Sequence, residues 1–221
     1  MTLPRRQQNR LNRERQILDA ALTVFAAQGY SGTTMDGVAA EAGVTKPTLY
    51  SYFPSKESLF QAMMLGQRDL MLDVFAHPSP KGMVADLWSF SWTYAETVMR
   101  PDMLSLARLI IGEVSRFPEI GRAYQASGPD HLLRGIMRYL EDQRDGGRLT
   151  FEDAELAAQD LWGLILSAPR TQALHMPDAI PDRATLARYI TNGLKVFLKA
   201  YSTHPAQDQD QLAALSQQEP Q

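Results

Sequence analysis

None of the 221 residues is cysteine, so neither a disulfide framework nor a thiolate metal site is available. Long hydrophobic runs are missing as well. The longest stretch free of charge, Ala20 to Met35, is sixteen residues and contains Gln28, Gly29 and Gly32. It is too short and too polar to span a bilayer. The N-terminus is basic but lacks the apolar run of a signal peptide. Histidine is sparse: His77, His131, His175 and His204 are scattered, and none has a second histidine at metal-ligand spacing. Glycine-rich phosphate loops, nucleophile elbows and zinc-protease patterns do not occur. The acids Glu152, Asp153 and Glu155 fall at a helix start, where the helix dipole accounts for them. No repeat is found, and nothing alternates long enough to make a strand. These absences predict an all-α, soluble cytoplasmic protein. They give no catalytic residues, no metal, no cofactor and no membrane partner.

Charge is unevenly placed. The formal net charge is −3, yet residues 1–60 hold seven Lys/Arg against five Asp/Glu, and the remainder fifteen against twenty. Arg5, Arg6, Arg10, Arg13 and Arg15 concentrate the positive end, opposed locally only by Glu14. A polyanion would therefore meet this protein at its N-terminal end.

The most informative stretch is Thr33 to Glu57, TTMDGVAAEAGVTKPTLYSYFPSKE. Thr33 or Thr34 can cap a short helix, with Asp36 at capping-box spacing from Thr33. Val38, Ala39 and Ala42 give it a small apolar face, and Gly43 closes it. Thr45 caps a second helix, Lys46 to Tyr52, with Pro47 in its first turn. Pro54 stops that helix and Ser55 caps the next. Two helices with small residues at their crossing form a helix-turn-helix. Lys46, Thr48, Tyr50, Ser51 and Tyr52 on the second suit phosphate and base-edge contacts in a major groove.

This ordered string closely resembles the DNA-binding signature of the TetR/AcrR family of bacterial regulators. The resemblance rests on the paired threonines, AAEAGV, T-L-Y-x-Y-F and F-P-S-K-E-x-L-F, and covers residues 13 to 65. Gly37 departs from it, where a larger polar residue is usual, and weakens its helix by about 1 kcal/mol relative to Ala. The stretch from Arg108 to Leu149 is similar, more loosely, to the AefR-like type of C-terminal domain. The resemblance implies a three-helix N-terminal helix-turn-helix domain and a C-terminal helical domain that binds ligand and dimerises. It assigns Lys46, Thr48, Ser51 and Tyr52 to base reading, and Thr33, Thr34, Tyr50 and Lys56 to phosphate. Thr45 is a further candidate, although capping alone explains both it and Ser55. The implied partners are a double-stranded palindromic operator, a small-molecule effector and a second copy of the chain. A DNA-binding regulator without ligand, or an enzyme or carrier retaining the motif, stands as the alternative.

Along the chain, residues 1 to about 10 read as a mobile basic arm, and a helix follows from Asn12 to Gln28 with Ile17, Leu18, Ala21, Leu22, Val24 and Phe25 on one face. Leu49, Tyr50 and Phe53 are candidates to pack on that face, with one of Tyr50 and Tyr52 in the core. The helix after Ser55 carries Leu59, Phe60, Met63, Met64, Leu70, Leu72 and Phe75 toward His77 and leaves the reading domain without a linker. Met83 to Met99 is apolar all round, which predicts a central, buried helix. Pro101 opens another helix, Pro118 the next, Gly128-Pro129 interrupts, and Asp145-Gly146-Gly147 stops an amphipathic helix. Two helices follow, Glu152 to Ala168 and Asp182 to about Tyr201, which the resemblance pairs with a two-fold mate as the dimer interface. The polar tail from His204 reads as disordered. The predicted division is 1–60 for DNA binding, 61–203 for ligand and dimer, and 204–221 for the tail.

For the effector pocket, Trp88, Trp92, Leu106, Ile110, Met137 and Trp162 are the candidate lining. Filling the core is the competing reading. Trp92 stands between the two, and Phe90 belongs to the core.

Overall fold

A computed structural model describes residues 4–217, apart from the side chains of residues 66–70, 119 and 127. Leu70 of the expected apolar face, residues 1–3 of the expected arm and residues 218–221 of the expected tail thus lie outside what is described. Eleven helices are formed among the described residues. In chain order they are α1 (Arg5–Gly32), α2 (Met35–Glu41), α3 (Lys46–Tyr52), α4 (Lys56–Ala76), α5 (Met83–Val98) and α6 (Pro101–Glu113). After these come α7 (Pro118–Ser127), α8 (Pro129–Asp145), α9 (Ala154–His175), α10 (Arg183–Tyr201) and α11 (Pro205–Gln217). No strand occurs among the described residues, and Leu149 with Ser202 makes an isolated antiparallel bridge. The fold is all-α, as expected.

Packing separates the chain into two compact units. One holds the residues up to 67 together with 101–128; the other holds 68–100 and the residues after 128. These packing units differ from the division expected at residue 60, because α6 and α7 pack with the N-terminal helices. Met103, Leu106, Ile110 and Ile120 share one apolar cluster with Ile17, Phe25, Leu49 and Phe60. Apolar periodicity finds a helix's buried face but not which neighbour it meets.

In the first unit, Ile17, Ala20, Ala21, Val24 and Phe25 are buried at helical spacing along α1. The helix begins at Arg5 rather than Asn12, so the residues read as a mobile arm are helical from there. Arg and Gln are good helix formers, and no Gly or Pro follows Pro4 until Gly29, so the helix propagates past its apolar face. Gly29 ends its regular part with φ of 79°. A Cβ there would lie 2.9 Å from Glu113 Oε1, the movable end of a flexible side chain, so it is the backbone conformation that favours glycine. Phe25 stacks on Tyr30 at 5.7 Å and meets the Phe60 edge at 5.3 Å.

The second unit is built around α5, whose buried residues lie on every side, including Asp86, Trp88, Phe90, Trp92 and Tyr94. Asp86 is 2% exposed. Its carboxylate accepts from the Ser79 backbone N–H at 2.6 Å and from the Tyr139 hydroxyl at 2.8 Å. Tyr139 stacks on Phe75 at 4.1 Å, and Phe75 on Phe90 at 4.7 Å. Helices α9 and α10 approach closely at Gly193, where a Cβ would come within 2.4 Å of the Leu164 carbonyl oxygen. Helix α9 does not end at Ala168. It continues through the buried Pro169 to His175, because a proline removes one donor without forcing a stop where packing holds the next turn. Leu156, in its first turn, is exposed.

The tail is not disordered up to Gln217. Helix α11 carries Asp208, fully buried, and Leu212 at 2% exposure. Asp208 accepts from Arg148 Nη2 at 2.7 Å and from Ser202 Oγ at 2.6 Å. Two anchoring residues outweigh a composition that is otherwise polar.

Candidate nucleic-acid interface

The helix-turn-helix lies in the first unit, and its geometry follows from a few local bonds. Thr34 Oγ1 accepts from the Gly37 N–H at 3.1 Å and caps α2. Thr33 acts elsewhere. It is buried at 2% exposure, and its hydroxyl donates to Gly29 O at 2.6 Å. A hydroxyl so placed closes the end of α1. Gly43 turns the chain with φ of 60°, a conformation that favours glycine. Thr45 then caps α3, accepting from the Thr48 N–H at 3.4 Å and sharing a 2.8 Å hydrogen bond with the Thr48 hydroxyl.

Helix α3 has seven residues, roughly 10 Å of rise. Leu49 is fully buried in the cluster that contains Val38 and Ala39. With that side anchored, Lys46, Pro47, Tyr50 and Ser51 are exposed. Their spacing of one, four and five residues puts them on one helix face. Tyr50 is 48% exposed, so it is not the core ring. Ser51 Oγ donates to Thr48 O at 2.7 Å. Tyr52 is half-buried and packs against the cluster. The Arg10 guanidinium lies 5.8 Å from the centre of its ring, within cation–π range. The basic end of α1 is thereby brought to α3. The expectations at α3 did not include Arg10. The signal was its place seven residues before Ile17, on the same face of α1.

Lys56 Nζ donates to Tyr30 O at 2.8 Å and to Thr33 O at 3.2 Å, and sits 4.5 Å from the Tyr30 ring centre. Two of its three donors tie down the end of α1, so Lys56 is a structural link. Ser55 and Ser58 cap the start of α4 reciprocally, each hydroxyl accepting from the other's backbone N–H at 3.1 Å. Glu57 has its carboxyl held below the ordinary value, first by a backbone N–H and then by the Ser55 hydroxyl. Asp36, expected only to cap, pairs instead with the Lys46 ammonium.

The six residues expected to line an effector pocket are divided between the two units. Leu106 and Ile110 belong to the core cluster of the first unit. In the second unit Trp88 and Trp92 are buried with their rings edge-on at 6.0 Å, and half-buried Trp162 meets the Tyr94 edge at 6.2 Å. Met137 is half-buried on α8. None of the six lines one cavity of about 630 Å³ in the second unit. That cavity lies between α4 and α8, with Leu72, Phe75 and Ala76 on one side and Gly135 and Tyr139 on the other. His131, Arg138, Asp73 and Asp142 give it polar groups. Burial pushes the Tyr139 hydroxyl well above its ordinary pKa, and the bond to Asp86 adds to the shift.

No helix among the described residues is long and apolar enough to cross a membrane. Nor does any group of three or more His, Asp or Glu among them stand where it could hold a metal ion. A short, exposed helix braced on an apolar cluster, with Arg10 beside it, defines a DNA-binding protein of the helix-turn-helix class.

Comparison with known proteins narrows the class. Residues 17–63 match the model for bacterial regulatory proteins of the tetR family, and residues 85–203 match the C-terminal domain of AefR-like transcriptional repressors. The chain belongs to the TetR family of transcriptional regulators. Among solved structures it is similar to the flavonoid-responsive regulator FrrA, at 31% identity and a TM-score of 0.66, covering 87% of this chain and 98% of that one. It is also similar to a TetR regulator from Agrobacterium tumefaciens, at 27% identity and a TM-score of 0.69, covering 89% and 98%. An uncharacterised helix-turn-helix regulator of Mycobacterium tuberculosis is 28% identical over 153 residues, which is 69% of this chain and 72% of that protein.

Proposed function

We propose that this protein is a ligand-responsive repressor that binds a palindromic operator as a homodimer and is released by a small aromatic effector. The observation that carries the DNA-binding part is the exposed face of α3, where Lys46, Pro47, Tyr50 and Ser51 stand clear while Leu49 anchors the helix. Thr34 and the α1 arginines beside it supply phosphate contacts, and a helix N-terminus favours anions. One seven-residue helix cannot deliver the Kd of about 10⁻⁸ to 10⁻¹¹ M usual for specific sites. Two copies reading two half-sites can. Helices α9 and α10 present Leu156 and Val196, 59% and 45% exposed, which favours them as the dimer face. Repression accords with the AefR-like repressor match over residues 85–203. A regulator of this kind works where the chromosome is, in the cytoplasm.

For the effector, the cavity between α4 and α8 has a volume suited to a drug-sized molecule. Phe75 and Tyr139 offer ring surfaces, and Arg138 and His131 offer polar partners. A planar, hydroxylated aromatic compound fits that chemistry, and FrrA, by its name, responds to flavonoids. Helix α4 carries Leu72 and Phe75 of the cavity and also Lys56, so ligand-induced strain has a continuous helix to travel along. The coupling needed is about 1–3 kcal/mol.

The test is selection of bound fragments from the protein's own genome, above all the DNA flanking its own gene. Enrichment of a palindrome bound by two copies is expected, followed by its release with a hydroxylated flavone. Recovery of no sequence preference at low salt by a folded dimer would refute the regulator reading. Flavones that neither bind nor release would refute the effector class.

A further inference from the structure

Residues 33–52, the two helices of the motif, hold one basic side chain, Lys46, and two acidic ones, Asp36 and Glu41. The motif's sole cation is engaged: its ammonium pairs with the Asp36 carboxylate across the turn. Both side chains are largely exposed, 57% for Asp36 and 61% for Lys46. Asp36 lies in the first turn of α2, two residues after the capping Thr34, and Lys46 opens α3. The pair therefore joins the two helix starts that a DNA backbone would approach.

We propose that Asp36 is a positioning residue that acts through Lys46: it holds the ammonium against α2 and so suppresses binding to DNA of arbitrary sequence. The proposal rests on the reading that α3 meets DNA. A free lysine at this place would collect any phosphate in reach and release a counterion, adding affinity that carries no sequence information. A lysine held by a carboxylate contributes little to that pull, since a phosphate must first displace the carboxylate. The carboxylate itself repels phosphates, yet it can accept from the amino groups of cytosine or adenine in a major groove. Correct sequence can compensate the pair for being opened, and random sequence cannot. Unspecific attraction is then left to the arginines of α1.

The experiment titrates a 30-base-pair duplex of random sequence by fluorescence anisotropy over a range of salt. It uses the wild type, Asp36→Asn, Lys46→Met and the double variant, and repeats the titration with the fragment selected from the genome. Asp36→Asn is expected to bind the random duplex about tenfold more tightly at low salt, about threefold for each of two reading heads. The log–log salt slope should steepen by about 0.9 per head, and the preference for the selected fragment should fall. In the Lys46→Met background the same substitution should change random-duplex affinity less than about twofold. An equal gain in both backgrounds would overturn the proposal, because Asp36 would then act by its own charge alone. So would no gain with Lys46 present, provided Lys46→Met weakens fragment binding. If Lys46→Met leaves fragment binding untouched, the placement of α3 on DNA fails as well. Both positions are exposed, and circular dichroism of each variant checks that the helices are kept.

Discussion

Replacing Asp208 by alanine should loosen the C-terminal helix, by an amount that can be worked from its surroundings. The carboxylate is fully buried and accepts two bonds, from Arg148 at 2.7 Å and Ser202 at 2.6 Å. A hydrogen bond to a charged partner is worth about 1.5–3 kcal/mol, and one between a hydroxyl and its acceptor about 1. Removing one member of a buried ion pair costs about 3–5 kcal/mol, but Arg148 is 39% exposed and can recover part of that from water. Its buried Nε already has no hydrogen-bond partner, so further loss there is not made good locally. The sum is about 2–4 kcal/mol, on the order of 10 °C in Tm for a chain of this size. Leu212, docked nearby, adds about 2 kcal/mol that is lost as well if α11 lifts away. The assay is thermal unfolding by circular dichroism together with hydrogen exchange on residues 205–217. Asp208→Asn, which keeps an acceptor for Ser202, should lose about half as much as the alanine variant. An alanine variant with Tm within about 1 °C of wild type and unchanged exchange in α11 would refute the anchoring role.

Gly193→Ala forces a Cβ to within 2.4 Å of the Leu164 carbonyl oxygen, so α9 and α10 must part; a loss of about 1–3 kcal/mol in denaturant unfolding is expected. Lys56→Met removes two bonds to carbonyls and a cation–π contact, which should cost about 1–3 kcal/mol of stability. Operator affinity of the folded variant should fall less than about threefold, and a tenfold fall would restore Lys56 as a phosphate clamp. Alkaline titration followed by tyrosinate absorbance should show Tyr201 ionising late. Its hydrogen bond to Asp160 pushes it up to about 12. A raised folded pKa means that stabilisation is present below the ordinary value near 10 and is lost as pH rises through 12. Tyr201→Phe should abolish that late step while leaving the buried Tyr139, also raised, as the other slow titrant.

The recognition element is readable in the sequence because its determinants are local. Thr45, Pro47, Gly43 and Pro54 each act within a few residues, and α3 runs from Lys46 to Tyr52 as their spacing predicts. The proline-started helices α6, α7 and α8 are legible for the same reason. What escapes depends on partners distant in sequence. Arg148 and Asp208 are sixty residues apart, and nothing in a polar tail announces that one of its acids will be buried. Lys56 and Thr33 can be matched to family positions, but only the fold shows that their polar atoms are spent on the end of α1. Aromatic residues in a sequence mark burial and do not say which of them border empty space. Gly135, which lets Leu72 of α4 come close to α8, gives no sign of its role.

That α3 reads DNA is tested most directly by the affinity of the wild type and Tyr50→Ala for the fragment selected from the genome, measured at two salt concentrations. Tyr50 is nearly half exposed, so its loss leaves the fold standing. Steeply salt-dependent, two-copy binding is predicted for the wild type, and for the variant a loss of tenfold or more. Equal affinity of both proteins for the fragment would contradict the reading role of α3.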